Sequence, residues 1–240
     1  MAEKIVVLST SNNPDYYWYA PYQRKAWNSF GWKVLILTTP DVTIQLDCDI
    51  QIALPEIECR KETLAQAGRL YAANHLPEDA MIMTCDIDLV PASDYWQPEY
   101  NVRTVYGHDL TDFTYIPMGY VAMTGRQWKE VMKLTGDTKA DMQRDLKEYA
   151  DMVCAPDWET WWNVDWRVLT DKLKPFDVKH VTRGRRLTGT YAYGRVDRGD
   201  HMYLPPNETI IDIHSHNFNT QHPDKVKQFT DIYERFHGKV

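Results

Sequence analysis

Hydrophobic positions in the first half of the chain form short apolar runs that alternate with helix-like segments. The runs Lys4–Leu8, Trp32–Leu37 and Ala80–Cys85 are typical of buried strands. Between them, Pro21–Phe30 and Glu62–His75 have the spacing of amphipathic helices. Strands that alternate with helices predict an α/β fold with a Rossmann-like, mainly parallel sheet flanked by helices.

The second half is less regular. A short strand at Tyr120–Met123 is followed by a helix at Arg126–Leu134, for which Thr124 is a candidate N-cap. Further elements are predicted at Asp137–Val153, Trp158–Leu173, Thr209–His214 and, as a terminal helix, after Pro223. We see no internal repeat, low-complexity tract or linker, so a single domain over residues 1–240 is expected.

Composition excludes several classes of protein. The formal net charge of −7 argues against a general nucleic-acid binder. We expect no membrane span, because no apolar run approaches the roughly 18 residues that one requires. The first apolar run is too short for a signal peptide, so a cytoplasmic location is expected. The four cysteines form no CxxC pair and are expected to be reduced thiols; they are Cys48, Cys59, Cys85 and Cys154.

Two carboxylates directly follow the third predicted strand, in the sequence Asp86-Ile87-Asp88. In an α/β sheet the carboxyl ends of strands open onto the ligand crevice. Side chains at i and i+2 of an extended chain point to the same side, so both carboxylates can converge on one point. Such a pair repels unless a cation or hydrogen-bond donors compensate, and Mn²⁺ or Mg²⁺ suits these oxygen ligands. An aspartate-rich turn without a ligand is the alternative.

The apolar strand, Asp86-Ile87-Asp88 and Pro91 resemble the DxD element of GT-A glycosyltransferases. In that family the two acids hold a divalent cation, which binds the diphosphate of a nucleotide-sugar. The resemblance implies a single GT-A-like domain with a nucleotide-binding half at about 1–90. A smaller acceptor-side half, with a third metal ligand, would occupy about 91–220. The implied enzyme is a hexosyltransferase. Its donor would be a nucleotide-sugar, with a UDP-sugar expected first, and its acceptor would be a hydroxyl group, such as one of a glycan.

Other segments resemble the donor-binding elements of this family. Gln66–Ala72 resembles the helix before DxD, in which a basic residue faces the nucleotide-sugar, and Arg69 is the candidate. A solvated surface arginine is the alternative. Tyr115–Val121 resembles the floor of the site, where a small residue lets the backbone approach the sugar. The resemblance implies a donor site formed by Ser9, Thr10, Gln66, Arg69, Asp86 and Gly119.

Four of the nine tryptophans lie within residues 158–166. With residues 158–173 wound at about 100° per residue, one apolar stripe contains Trp158, Trp161, Trp162, Val168, Leu169 and Leu173. Asp165 falls near the middle of that stripe, so we expect its carboxylate to be paired, ligating or functional. The three tryptophans are candidates for stacking on acceptor sugar rings, with a role in the core as the alternative.

Asp165-Trp166-Arg167-Val168-Leu169 resembles the Asp-(Glu/Gln)-x-x-Leu element of the family, with Trp166 in place of the usual polar residue. An acid in this region often deprotonates the acceptor hydroxyl, which makes Asp165 the first candidate for the catalytic base. Asp157 and Glu159 are rival candidates. Both also lie at a predicted helix N-terminus, where carboxylates favour the helix dipole without any catalytic role.

The late strand places Asp212, His214 and His216 on one side. The family often takes a third metal ligand, usually a histidine, from a C-terminal strand, so His214 or His216 is the candidate. Asp212 could orient one of these rings. The segment 183–200 is rich in arginine and glycine and is either a lid over the diphosphate or an exposed basic loop; its arginines are Arg183, Arg185, Arg186, Arg195 and Arg198.

Two other functions are compatible with the same residues. A metal-dependent nucleotidyltransferase or phosphohydrolase would also use the two aspartates, but it would need no aromatic sugar platform. A non-catalytic carbohydrate-binding module would use the tryptophans alone, and its sugar binding would persist in a chelator.

Overall fold

A seven-stranded sheet forms the centre of the molecule in the computed structural model, which describes residues 2–106, 116, 118–181, 195–197, 210–215 and 222–240. From one edge to the other the strands are β3 (Ile50–Ala53), β2 (Lys33–Thr38), β1 (Lys4–Thr10), β4 (Met81–Thr84), β7 (Val121–Thr124), β6 (Thr104–Tyr106) and β8 (Lys179–Val181). The first four are mutually parallel, β7 is antiparallel to both of its neighbours, and β8 is parallel to β6. The predicted α/β fold with a mainly parallel sheet is confirmed.

A second sheet of three strands lies at the end of β4. It consists of β5 (Leu89–Pro91), β10 (Asp212–His214) and β9 (Arg195–Asp197), in that order. β10 is antiparallel to β5, and His214 pairs with Leu89. The C-terminal strand is therefore fixed beside the segment that immediately follows the two aspartates.

Helices cover both faces of the large sheet. They are α1 (Pro14–Tyr17), α2 (Ala20–Ser29), α3 (Lys61–Gly68), α4 (Gly125–Met132), α5 (Thr138–Glu148), α6 (Ala150–Val153), α7 (Trp158–Trp162), α8 (Val164–Leu173) and α9 (Pro223–His237). Alternate residues of β1 enter two separate cores: Ile5 packs with residues of α3, α4, α5 and α8, and Val6 with residues of α2 and α9. Among the described residues, none of the helices has the length and apolar character that crossing a membrane requires.

Three long predicted helices are interrupted in the structure. Asp137–Val153 divides at Tyr149, which has φ −109° and ψ 31°, into α5 and α6. Glu62–His75 is α-helical only to Gly68 and continues as a 3-10 helix over Arg69–Asn74. A Cβ atom on Gly68 would collide with the side chain of Leu54, so the end of α3 packs closely against the residue that follows β3. The change of winding turns the side chain of Arg69 inward, where it is buried.

The prediction of one continuous apolar stripe over residues 158–173 is wrong, because the helix breaks at Asn163. This residue has φ −101° and ψ 15°, it ends α7, and its side-chain amide donates to Glu159 O (2.6 Å). No residue of α7 is buried, and Trp158 is 62 % exposed. The buried positions of α8 are Val164, Asp165, Val168, Leu169 and Leu173. Asp165 therefore belongs to a buried face that the tryptophans of α7 do not share.

Candidate active site

The predicted site residues of the first half meet at the carboxyl ends of two parallel strands. β1 and β4 are neighbours, with Val7 paired to Thr84. Ser9 and Thr10 lie at the end of β1, where Ser9 is half-buried and Thr10 is buried. Asp86-Ile87-Asp88 follows β4 after one residue, Cys85. The structure thus brings these residues to the edge at which α/β sheets bind ligands.

Arg69 connects three of the predicted site residues. Its Nη1 donates to Cys85 O (3.0 Å) and to Asp86 Oδ1, its Nη2 donates to Asp165 Oδ2 (2.9 Å), and its Nε donates to Gln66 O (3.3 Å). The side chain is only 4 % exposed, so the alternative of a solvated surface arginine is wrong. One buried guanidinium therefore holds a carboxylate of the DxD motif and a carboxylate of α8 together.

The pKa values of the two carboxylates that share Arg69 are shifted in opposite directions. Burial raises the pKa of Asp86, but the charge and hydrogen bond of Arg69 outweigh it, so the net pKa is below the usual value. Burial raises the pKa of Asp165 to about 6, although the Arg69 charge opposes this shift and Asp86 adds to it. The Asp86 side chain is 36 % exposed and that of Asp165 is inaccessible. Asp86 is thus the ionised carboxylate that a ligand can reach.

Asp88 and His214 approach each other across the smaller sheet. The His214 Nε2 and Asp88 Oδ2 atoms are 3.7 Å apart, and the side chains are 16 % and 10 % exposed. Ser215 N donates to Asp88 O (2.9 Å), which extends the β10–β5 pairing by one residue. A carboxylate and an imidazole at this separation can both reach one divalent cation.

The donor set fits Mn²⁺ or Mg²⁺, since it combines carboxylate oxygens with one imidazole nitrogen. Within the described part of the chain, no three histidine, cysteine or acidic side chains are gathered closely enough to form a complete metal site. His216, the other predicted ligand, lies outside the described residues. The assignment of Asp86, Asp88 and His214 as metal ligands stays a prediction.

Gly119 lies directly against the DxD motif. A Cβ atom at this position would be 3.8 Å from Asp86 Oδ2 and 3.3 Å from Leu89 Cδ1. The neighbouring segment is tied to α8, because Ile116 N donates to Thr170 Oγ1 (2.7 Å). A side chain on residue 119 would therefore occupy the space beside the accessible Asp86 carboxylate. This agrees with the expectation that a small residue is needed at this position.

Asp212 and Arg195 form a buried pair beside the metal-ligand candidates. Arg195 donates to both carboxylate oxygens of Asp212 (3.0 Å each), and Tyr120 OH donates to Asp212 Oδ2 (2.9 Å). Arg195, which was a candidate lid residue, therefore links β9 to β10 within the sheet. The other four arginines of the predicted lid lie outside the described residues. A contact between Asp212 and a histidine ring stays a prediction.

Three buried polar atoms near the donor side have no hydrogen-bond partner among the described residues. They are Thr38 Oγ1, Thr63 Oγ1 and Gln66 Oε1. Thr63 and Gln66 are three residues apart on α3, which packs on β1 and β2, and Thr38 ends β2. A buried polar atom left unpaired is costly. Thr38 and Thr63 are at most 1 % exposed, so a ligand at the sheet edge does not reach their oxygens.

The remaining base candidates lie on the exposed helix α7. Asp157 is its N-cap, and its carboxylate accepts from Thr160 N (2.8 Å). The hydrogen bonds from Thr160 lower the pKa of Asp157, so this carboxylate is a weak base. Glu159 is exposed in the first turn of α7. Asp157 thus already has a structural role as the cap of α7.

The tryptophans of α7 form an accessible aromatic surface. The Trp161 and Trp162 rings meet edge to face at 5.7 Å between centroids, and both are half-buried. The Arg60 guanidinium lies 5.1 Å from the Trp161 ring centroid, and its Nη1 donates to Val153 O and Ala155 O. These contacts fix the Trp161 ring while Trp158 stays open to solvent.

Comparisons with known proteins establish no family for this chain. No protein-family model matches the sequence, and no curated protein matches it. The apo form of glycosyltransferase GlyE from Streptococcus pneumoniae TIGR4 superimposes with a TM-score of 0.49 at 11% identity, over 93% of this chain and 56% of that one. A second GlyE structure gives a TM-score of 0.42 at 11% identity, over 76% and 45%. The chain spans about half the length of these structures, and similarity at this level carries no conclusion about activity.

Proposed function

We propose that this protein is a metal-dependent glycosyltransferase. It transfers a sugar, of the hexosyl type, from a nucleotide-diphosphate sugar to a hydroxyl group of a glycan acceptor, and a UDP-sugar is the first donor to test. The observation that carries the proposal is the approach of His214 to Asp88 at the carboxyl end of β4, with Nε2 and Oδ2 3.7 Å apart. A carboxylate–imidazole pair at a sheet edge suits a divalent cation better than a structural turn.

Asp86, Asp88 and His214 would hold Mn²⁺ or Mg²⁺, with His216 as the other candidate ligand. When bound, the cation binds the donor diphosphate and stabilises the negative charge that develops on the leaving nucleotide. Arg69 fixes Asp86 by binding its Oδ1 atom, and Gly119 leaves the space beside Oδ2 open. The chain thus presents one oriented, ionised carboxylate to the donor.

We assign Asp165 to the support of Arg69. Its carboxylate is inaccessible and accepts from Arg69 Nη2 and from Trp166 N (2.9 Å each). A base must reach the proton that it removes, so this position is unsuited to direct contact with an acceptor. If the reaction inverts, Glu159 and Asp157 are the accessible candidates for the base. If it retains, no such base is required.

The nucleoside would lie at the ends of β1 and β2. Ser9, Thr10 and Gln66 are the predicted contacts. The acceptor sugar would lie against α7, where Trp158, Trp161 and Trp162 offer flat apolar faces with polar edges. This aromatic surface adjoins Asp165 along the chain through Asn163.

Thermal-shift measurements with a panel of nucleotide-sugars test the proposal, with Mn²⁺ and with chelator. A donor that binds the folded state raises the unfolding temperature by mass action. We expect this rise only when Mn²⁺ is present, and we expect its loss in Asp88→Asn. Asp231→Asn, which changes a surface carboxylate on α9, is the matched control and keeps the rise. An equal rise in Asp88→Asn contradicts the metal assignment.

The same panel separates the alternative functions. A carbohydrate-binding module predicts stabilisation by free sugars that persists in chelator. A nucleotidyltransferase or phosphohydrolase predicts cleavage within the diphosphate, which yields a nucleoside monophosphate and a sugar phosphate.

A further inference from the structure

The DxD loop is held from the protein interior by one face of α2. Gln23 is fully buried, and its side-chain Nε2 donates to Ile87 O (2.7 Å) and to Leu89 O (3.0 Å). These carbonyl groups belong to the residues on either side of Asp88. One amide group therefore fixes the backbone on both sides of a predicted metal ligand.

Tyr19 binds the residue that follows β10, the strand that carries His214. It precedes α2, and Gln23 N donates to Tyr19 O (2.9 Å), so the two side chains are one helical turn apart. The buried Tyr19 OH donates to Ser215 Oγ (2.7 Å). Ser215 follows His214 directly, and Ser215 N donates to Asp88 O. The hydrogen bonds thus connect α2 to both sides of the gap between Asp88 and His214.

The Tyr19 ring is locked by its neighbours. Trp18 packs against it edge to face at 5.0 Å between centroids, and Phe229 of α9 does so at 5.4 Å. A side chain held in this way transmits its position to the groups that it binds. The hydroxyl group of Tyr19 therefore holds the Ser215 side chain in a fixed place.

Gln23 has a feature that packing alone does not explain. Its Oε1 is buried and has no hydrogen-bond partner among the described residues. An apolar side chain of similar length would fill the same space without leaving a buried acceptor unpaired. The amide is therefore explained by its two donated hydrogen bonds, both of which go to the DxD loop.

We propose that Tyr19 and Gln23 are positioning residues of the metal site, which set the separation between the Asp88 carboxylate and the His214 imidazole. Both side chains are fully buried, so they would act through the residues that they bind. The inference rests on the proposed function, because it requires that Asp88 and His214 bind the cation. Groups behind metal ligands govern affinity through the orientation that they impose.

Titration of the protein with Mn²⁺, followed by electron paramagnetic resonance of the free ion, tests this inference without any turnover. The variants are Tyr19→Phe and Gln23→Met, which remove the donors and keep the volume. We expect Mn²⁺ affinity to fall about 10-fold in each. The matched control is Tyr233→Phe, since the buried Tyr233 OH also bonds to this region, at Tyr22 O (3.1 Å), but not to the DxD loop. We expect less than about a 2-fold change in affinity there.

Urea unfolding of all four proteins separates positioning from loss of stability. A weaker Mn²⁺ affinity in Tyr19→Phe at a stability equal to that of Tyr233→Phe supports the inference. If folded Tyr19→Phe binds Mn²⁺ with wild-type affinity, the inference is overturned and the proposed function is left intact. Tyr19→Phe is the smaller change of the two, so its result decides the test if Gln23→Met does not fold. A wild-type protein that binds no Mn²⁺ overturns the proposed function and this inference together.

Discussion

At the scale of single residues, Arg69 determines the charge balance of the site. Its guanidinium lies between an accessible carboxylate, Asp86, and an inaccessible one, Asp165. A buried charge is tolerated only when it is paired, and here each buried ion depends on the other. The partners come from three separate elements, so the ion pairs also fix how the 3-10 helix, the DxD loop and α8 meet.

Replacing Arg69 by methionine leaves the Asp165 carboxylate buried without its cation. We expect the free energy of unfolding to fall by about 3–5 kcal/mol, as for other buried pairs broken on one side. Adding Asp165→Leu removes the unpaired group and restores most of this loss, because the double variant has an apolar contact instead. Urea denaturation of the two single variants and the double variant measures the coupling. Additive losses would contradict the mutual dependence of the pair.

The raised pKa of Asp165 makes stability depend on pH. The carboxyl group has a pKa of about 6 in the folded protein and a value near 3.9 in an unfolded chain. Between these values the folded state binds more protons, so the wild type loses stability as pH rises from about 4 to about 6 and changes little above that. Relative to Asp165→Asn, the loss reaches about 3 kcal/mol. Urea denaturation of both proteins across this range measures it, and a difference that is constant with pH would contradict it.

At the scale of elements, the junction between β7 and α4 is set by a close backbone approach. Thr124 caps α4 in a capping box with Gln127, which confirms the predicted N-cap. A Cβ atom on Gly125 would collide with the carbonyl oxygen of Pro77, and Gly125 N donates to Ala80 O (2.9 Å). The glycine therefore allows α4 to begin against the loop that leads into β4.

We expect Gly125→Ala to destabilise the protein by about 2–3 kcal/mol, because the backbone of Pro77 must move to relieve the collision. Lys133→Gly, at the other end of α4, is the control. Lys133 has φ 52° and ψ 48°, a conformation that favours glycine, so this variant should be stabilised by up to about 1 kcal/mol. Thermal unfolding compares the two. Equal stability of Gly125→Ala and wild type would contradict the close approach of the Pro77 backbone to residue 125.

Elements with strong local signals were predictable from sequence. β1, β2 and β4 are apolar runs with clear ends, and the caps at Thr124 and Asp157 lie where hydroxyl and carboxylate side chains precede helices. The short strands β5, β6, β8 and β9 escaped prediction, because each has three residues and exists only through pairing with distant segments.

The candidate site was predictable in its residue types and less so in its contacts. The apolar surroundings of Asp165 indicate that its carboxylate needs a partner, but nothing local identifies Arg69, which is 96 positions earlier. The break at Asn163 and the 3-10 turn at Arg69 arise from tertiary packing, which overrides the helical period. Tyr19 and Gln23 carry no sequence signal, because their importance lies in hydrogen bonds to distant backbone groups.

At the scale of the whole molecule, the site lies at the carboxyl edge of the sheet, between its two cores. On one side the 3-10 helix and α8 supply Arg69 and Asp165, and on the other side α2 supports the DxD loop. The carboxyl ends of β1 and β4 lie between them. This arrangement explains how two carboxylates can be gathered at one point, since Asp86 and Asp165 share the buried Arg69 as a donor.

The central claim is that the DxD site binds a nucleotide-sugar through a divalent cation and cleaves it at the sugar. Mass spectrometry of the products from a panel of nucleotide-sugars, incubated with Mn²⁺ and wild-type protein or Asp88→Asn, tests it most directly. We expect a nucleoside diphosphate and a free or transferred sugar from at least one donor, with the wild type alone. Cleavage within the diphosphate, equal products from Asp88→Asn, or no product from any donor would contradict the claim.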